Sequence, residues 1–139
     1  MKKARTTAML PDFSVRELGA CDADEALRAF DAFPWETEVQ RASEMDAAGA
    51  NCVSPSMTVT SLPHHFTATV AARRDAIDVE ACVPRRRSLL GLVTFNSAST
   101  FEFKSISRRE LEELLRAWFS LPADEQFAHF EERRQTLRG

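Results

Sequence analysis

The sequence predicts an α+β domain: a five-stranded antiparallel meander sheet with two N-terminal and two C-terminal helices packed on it. Three observations carry this. Apolar residues recur at helical spacing from Ala26 to Met45, switch to a period of two at Ser56, and return to helical spacing after Ser107. Asp22 with Glu25, and Ser107 with Glu110, have the spacing of capping boxes at the starts of helical stretches. The breaks between the period-two runs are short enough for antiparallel hairpins.

In order along the chain, residues 1–11 lack either periodicity and are expected to form a flexible arm, leaving 12–139 as a single domain able to bury its own core. Phe13 to Leu18 alternates apolar and polar side chains over the length of a short strand that ends at Gly19. A first helix then places Ala26, Leu27 and Phe30 on one face and ends near Phe33. Pro34 suits the first turn of a second helix, where its missing N–H would be unpaired anyway. Trp35, Val39, Ala42 and Met45 follow on one face, Glu36, Glu38, Arg41, Glu44 and Asp46 on the other, and Gly49 is placed as a stop.

Five sheet runs come next. Met57 and Val59, then Phe66, Ala68 and Val70, then Ile77, Val79, Ala81 and Val83, then Val93 and Phe95, then Phe101 and Phe103 share an apolar face. Thr58, Thr60, Thr67, Thr69, Asp78, Glu80, Glu102 and Lys104 line the other. Breaks are expected at Leu62-Pro63-His64, at Arg73-Arg74-Asp75, at Pro84 to Ser88 and at Asn96 to Ser99. Leu89-Leu90-Gly91-Leu92-Val93 is apolar on both parities, so the C-terminal helices are expected to cover part of the second face. Leu111, Leu114, Leu115, Trp118 and Phe119 form the stripe of a core-facing helix. After Leu121-Pro122 a last helix presents Ala123, Phe127 and Phe130.

Composition narrows the function classes. Hydrophobic content of 44% with 28% charged residues argues for a folded body rather than disorder. The sequence has no uncharged apolar run long enough for a membrane span, and Met1-Lys2-Lys3-Ala4-Arg5 leads into threonines rather than a signal-peptide core. Cys21, Cys52 and Cys82 are odd in number and widely spaced, as a reducing compartment tolerates. A cytoplasmic location without membrane association is expected.

No motif points to catalysis. His64-His65 in a turn lacks the further ligands a zinc site needs, since His129 lies on the last helix and no cysteine is near in sequence. The cysteines have no local setting that would stabilise a thiolate. There is no G-x-S-x-G elbow, and four glycines form no phosphate-cradling loop. The sequence therefore predicts no catalytic residue, no cofactor site and no metal site. Arg85-Arg86-Arg87 and Arg73-Arg74 would sit in turns at opposite ends of a meander, which divides the positive charge and argues against nucleic-acid binding.

The net charge of −3 conceals a polarity: residues 12–46 carry ten acidic against three basic side chains, and residues 47–109 eight basic against four acidic. Such clustering steers association with a partner of opposite sign. Asp22, Asp24, Glu36, Glu38, Glu44 and Asp46 are the candidate contacts with a basic protein partner. The segment Phe33-Pro34-Trp35-Glu36-Thr37-Glu38-Val39-Gln40-Arg41-Ala42, followed by Ser54-Pro55-Ser56-Met57-Thr58-Val59, resembles in layout the bacterial immunity proteins that neutralise a cognate secreted toxin. That resemblance, over residues 33–104, implies a stoichiometric inhibitor rather than an enzyme, with a basic toxin domain as its partner, and carries no site residue with it. Type III secretion chaperones, also small and acidic, are the neighbouring alternative. A small-ligand or enzyme domain would place its pocket between sheet and C-terminal helices, around Cys82, Leu90 and Leu92.

Overall fold

A computed structural model describes residues 3–62, 66–73, 76–89, 91 and 93–138. It is α+β, with an open antiparallel sheet and four helices; the sheet has six strands rather than five. The strands are β1 (Lys3–Met9), β2 (Val15–Cys21), β3 (Ser56–Leu62), β4 (Thr67–Arg73), β5 (Ala76–Leu89) and β6 (Val93–Ile106), in the spatial order β2-β1-β3-β4-β5-β6. Helices α1 (Ala23–Ala32) and α2 (Trp35–Ala47) are inserted between β2 and β3; α3 (Arg108–Ser120) and α4 (Ala123–Arg138) follow β6.

Two departures from the sequence expectation, together with the short strand before Gly19 joining the sheet as β2, account for the strand count. The segment expected as a loose arm is β1, an interior strand paired along its length with β2 on one side and β3 on the other. Its inward positions are Ala4, Thr6 and Ala8, all buried, so its alternation is written in small side chains rather than in large apolar ones. β2 continues through Gly19 instead of ending there. The register slips so that Leu18 has no partner on β1, and Gly19 takes φ 95°, a bulge that a side chain would strain.

The second departure joins the fourth and fifth runs. Asn96 to Ser99 lies inside β6 and Pro84 to Ser88 inside β5, so neither is a turn. The two strands pair from Ile77↔Ile106 out to Leu89↔Val93, and the reversal contains Gly91 at φ 70°. Pairing of β5 with β4 stops at Ala81, so from Cys82 onward β5 and β6 form a two-stranded ribbon. Pro84 sits where β4 no longer flanks its strand, which is where a residue without an N–H is tolerated. Arg85–Arg87 fall within this ribbon, well away from Arg73 at the β4–β5 reversal.

The core lies on one face. Met57, Val59, Ala68, Val70, Ile77, Val79, Ala81, Val83, Phe101 and Phe103 are buried there with Leu111, Leu114, Leu115, Trp118, Phe119 and Phe130 of the C-terminal helices. Among the described residues the C-terminal helices pack on this face; the side chains of Leu89, Leu90, Leu92 and Val93, where cover of the second face is expected, lie outside the described ones. Phe127 and Phe130 of α4 pack on Phe101, at 5.4 and 6.0 Å between ring centroids, on the same side as the rest of the core. On the opposite side the threonines are half-buried, and Glu80, Glu102 and Lys104 are exposed.

Helix ends follow local chemistry. Ser107 and Glu110 form a reciprocal capping box at α3, and the Asp22 carboxylate accepts from the Glu25 N–H at 2.8 Å at α1. Gln126, which sequence reasoning passed over, is buried and donates from Nε2 to the carbonyls of Trp118 and Leu121, closing the turn between α3 and α4.

Candidate functional site

The acidic half of the sequence divides in space into two groups. Helix α1 runs antiparallel to α3 and is clamped to it at both ends. Asp24 pairs with Arg116 at 2.7 Å, and Asp31 accepts two bonds from Arg108, each at 2.8 Å. These bonds hold the Asp31 carboxyl below its ordinary range and raise Arg108. Asp22 is occupied as the α1 cap. Two of the six expected partner contacts, Asp22 and Asp24, are thus already engaged within the chain.

Helix α2 carries the other four. It starts after Pro34, which stands at the cap rather than in the first turn and offers no side-chain bond, and it ends with Gly49 at φ 73°. No residue of α2 is buried: Trp35, Val39, Ala42 and Met45, the stripe expected to face the core, are half-buried only. Arg41 anchors the helix to the body, reaching Asp12 in the β1–β2 hairpin at 3.0 Å and Glu38 at 3.3 Å. Glu38, with its side chain 13% exposed, is therefore neutralised by Arg41. Glu36, Glu44 and Asp46 are exposed and have no cation within salt-bridge distance among the described residues. Three carboxylates on one solvated helix remain to act on a partner.

The same hairpin presents Phe13, 49% exposed at φ 68°. Its conformation is held by the Leu10–Ser14 and Phe13–Leu10 backbone bonds and by the Asp12 carboxylate, which accepts from both the Ser14 N–H and its hydroxyl. Those Ser14 bonds, with Arg41 adding to them, lower the Asp12 pKa.

Beneath the first turns of α2 lies an open groove of about 780 Å³. Phe30, Trp35 and Val39 line it from the helices, and Ala72, Ile77 and Ile106 form a cross-strand row beneath them. Glu36, Gln40 and Arg108 stand at its rim. Trp35 packs on Phe33 and Phe30 at 4.5 and 5.2 Å and donates its Nε1–H to the Phe30 carbonyl at 2.9 Å. The indole is thus fixed, and its polar atom is satisfied.

No protein-family model matches this chain, and neither the curated proteins nor the solved structures contain a match. Function must be read from the residues themselves.

The remaining candidates are placed as follows. His64, His65, Leu90 and Leu92 lie outside the described residues. Cys82 is half-buried, and its carbonyl accepts from the Trp118 indole at 3.3 Å. Burial, with the nearby Glu25 and Asp22 carboxylates, pushes the Cys21 thiol up against the lowering effect of its Thr6 contact at 2.8 Å, the opposite of the setting that stabilises a thiolate. All three cysteines are free. Among the described residues no group of three or more His, Cys, Asp or Glu side chains is disposed to hold a metal ion, and no helix is long and apolar enough to cross a membrane. The groove was not anticipated because it draws on six elements; the signal available in sequence was Ile77 at the start of one apolar run and Ile106 just past the end of another.

Proposed function

We propose that this chain is a small acidic binding protein, and within that class an immunity protein that neutralises a cognate secreted bacterial toxin by stoichiometric association in the cytoplasm of the producing cell. The observation that carries the reading is helix α2. An amphipathic helix with no buried residue contributes little to the core, yet it holds three exposed carboxylates without a cation partner among the described residues, next to an apolar groove. Carboxylates so placed raise the encounter rate with a basic surface and penalise acidic ones, while apolar groups at the centre of a contact supply affinity.

The tagged chain used as bait in a lysate of its own host tests this. The reading expects one basic protein retained in a fixed stoichiometric ratio, eluted by salt, and inactivated by the addition of this chain. Retention of nothing, or of a partner whose activity is untouched, contradicts it. The groove favours a second reading, a small-ligand domain, because its volume falls within the range of such pockets. A ligand carried through purification and released on denaturation would support that alternative.

A further inference from the structure

The apolar stripe of α2 is incompletely covered by the body of the protein, and the groove marks where cover is missing. Its chemistry is selective. The Trp35 Nε1–H is already paired with the Phe30 carbonyl, so the indole offers a ligand apolar ring surface. The Arg108 guanidinium is held by Asp31 and Glu112, so the one cation at the rim among the described residues is already matched by two carboxylates. Gln40 donates its amide to Glu44. What remains is Glu36, an exposed carboxylate at the edge of an apolar floor.

We propose that this groove receives an apolar side chain of the protein partner, presented beside a lysine or arginine whose cation meets Glu36. The proposal rests on the reading of α2 as the partner-facing helix and names the chemistry that the partner must show there. A central apolar anchor seated in a pocket, with a charged neighbour at its edge, is the arrangement from which interface hot spots are built.

Phenethylammonium and phenylacetate, matched in their ring and opposite in charge, probe the groove directly. The chain has two tryptophans, so two indole N–H resonances report the result, assigned with the Trp35→Phe variant. Titrated through the millimolar range, where fragments of this size bind, phenethylammonium should shift the Trp35 signal saturably and leave that of the fully buried Trp118 unmoved. Phenylacetate should bind roughly fivefold more weakly, the discrimination that one exposed charge can supply. Glu36→Gln, an exposed substitution, should remove the preference, and Val39→Trp should fill the groove and abolish the shift. Equal affinity for the two probes, or no saturable shift at Trp35, overturns the proposal. If such a result comes from a chain that still captures a basic partner in the bait experiment, the groove inference falls alone and the reading of α2 stands.

Discussion

Trp118→Ala removes the largest fully buried side chain, an indole at 0% exposure on α3. The ring stands edge-on to Phe119 at 5.1 Å and donates to the Cys82 carbonyl of β5 at 3.3 Å, so it ties the helix to the sheet by packing and by a hydrogen bond. Removing about 200 Å² of indole surface from the interior forfeits on the order of 5 kcal/mol of transfer free energy at about 25 cal/mol per Å². The denatured chain hides part of that surface already, which brings the expected loss to about 3–5 kcal/mol, the range found for buried aromatics. Urea unfolding followed by far-ultraviolet circular dichroism measures it. With a slope of about 2 kcal/mol per molar, the midpoint should fall by about 1.5–2.5 M at unchanged slope. Trp118→Phe keeps a ring but loses the N–H and part of the volume, and should cost about 1–2 kcal/mol. A loss below about 1 kcal/mol for the alanine variant would refute the placement of α3 against the sheet.

Three further outcomes follow from local geometry. Phe13 pays for a left-handed conformation with little burial, so Phe13→Gly should leave stability unchanged or raise it by up to about 1 kcal/mol in thermal unfolding, and a clear loss would show that its ring packs. Asp31→Asn should cost about 0.5–1 kcal/mol at neutral pH. Because the Arg108 bonds depress the Asp31 pKa, its contribution is present above the unfolded carboxylate value near 4 and is lost as pH falls through the lower folded value, so wild type and variant should converge in acid; divergence there would contradict the clamp. Ser107→Ala should cost about 1 kcal/mol through loss of the capping box, and Ser107→Gly less, by urea denaturation.

What could be read from the sequence was what is local. Helix α3 was legible in full because its cap and its five core residues lie within thirteen positions and obey one period. The apolar face from Met57 to Val83 was legible for the same reason. Strand β1 was not, because Ala4, Thr6 and Ala8 carry no hydrophobic signal, and its partner on β3 is more than forty-five residues away. Pro84 and the polar stretch from Asn96 read as turns because breakers and polar residues usually mark them, but a two-stranded ribbon lacks the flanking strand that would exclude them. At the candidate site, the exposed carboxylates of α2 could be found from the period alone. The neutralisation of Asp24 and Asp31 could not, since their arginines follow 92 and 77 residues later.

Division of the acidic segment into a helix clamped through its carboxylates and one that keeps three carboxylates without a cation among the described residues sharpens which substitutions inform on function. Changes in α1 perturb the α1–α3 seam and confound stability with binding. Glu36, Glu44 and Asp46 avoid this because they are exposed and hold no cation among the described residues. Glu80 and Glu102, paired across β5 and β6 on the opposite face of the sheet, supply a control of the same charge.

The measurement closest to the central claim is therefore the affinity of the captured partner for the Glu36→Lys, Glu44→Lys, Asp46→Lys triple variant across a salt series, beside Glu80→Lys, Glu102→Lys. The account expects the triple variant to bind at least about tenfold more weakly at low salt, with a flattened salt dependence and a stability within about 0.5 kcal/mol of wild type per exposed substitution. The control should keep both the affinity and its salt slope nearly unchanged. An unaltered affinity in the triple variant, or an equal loss in the control, would contradict α2 as the surface that meets the partner.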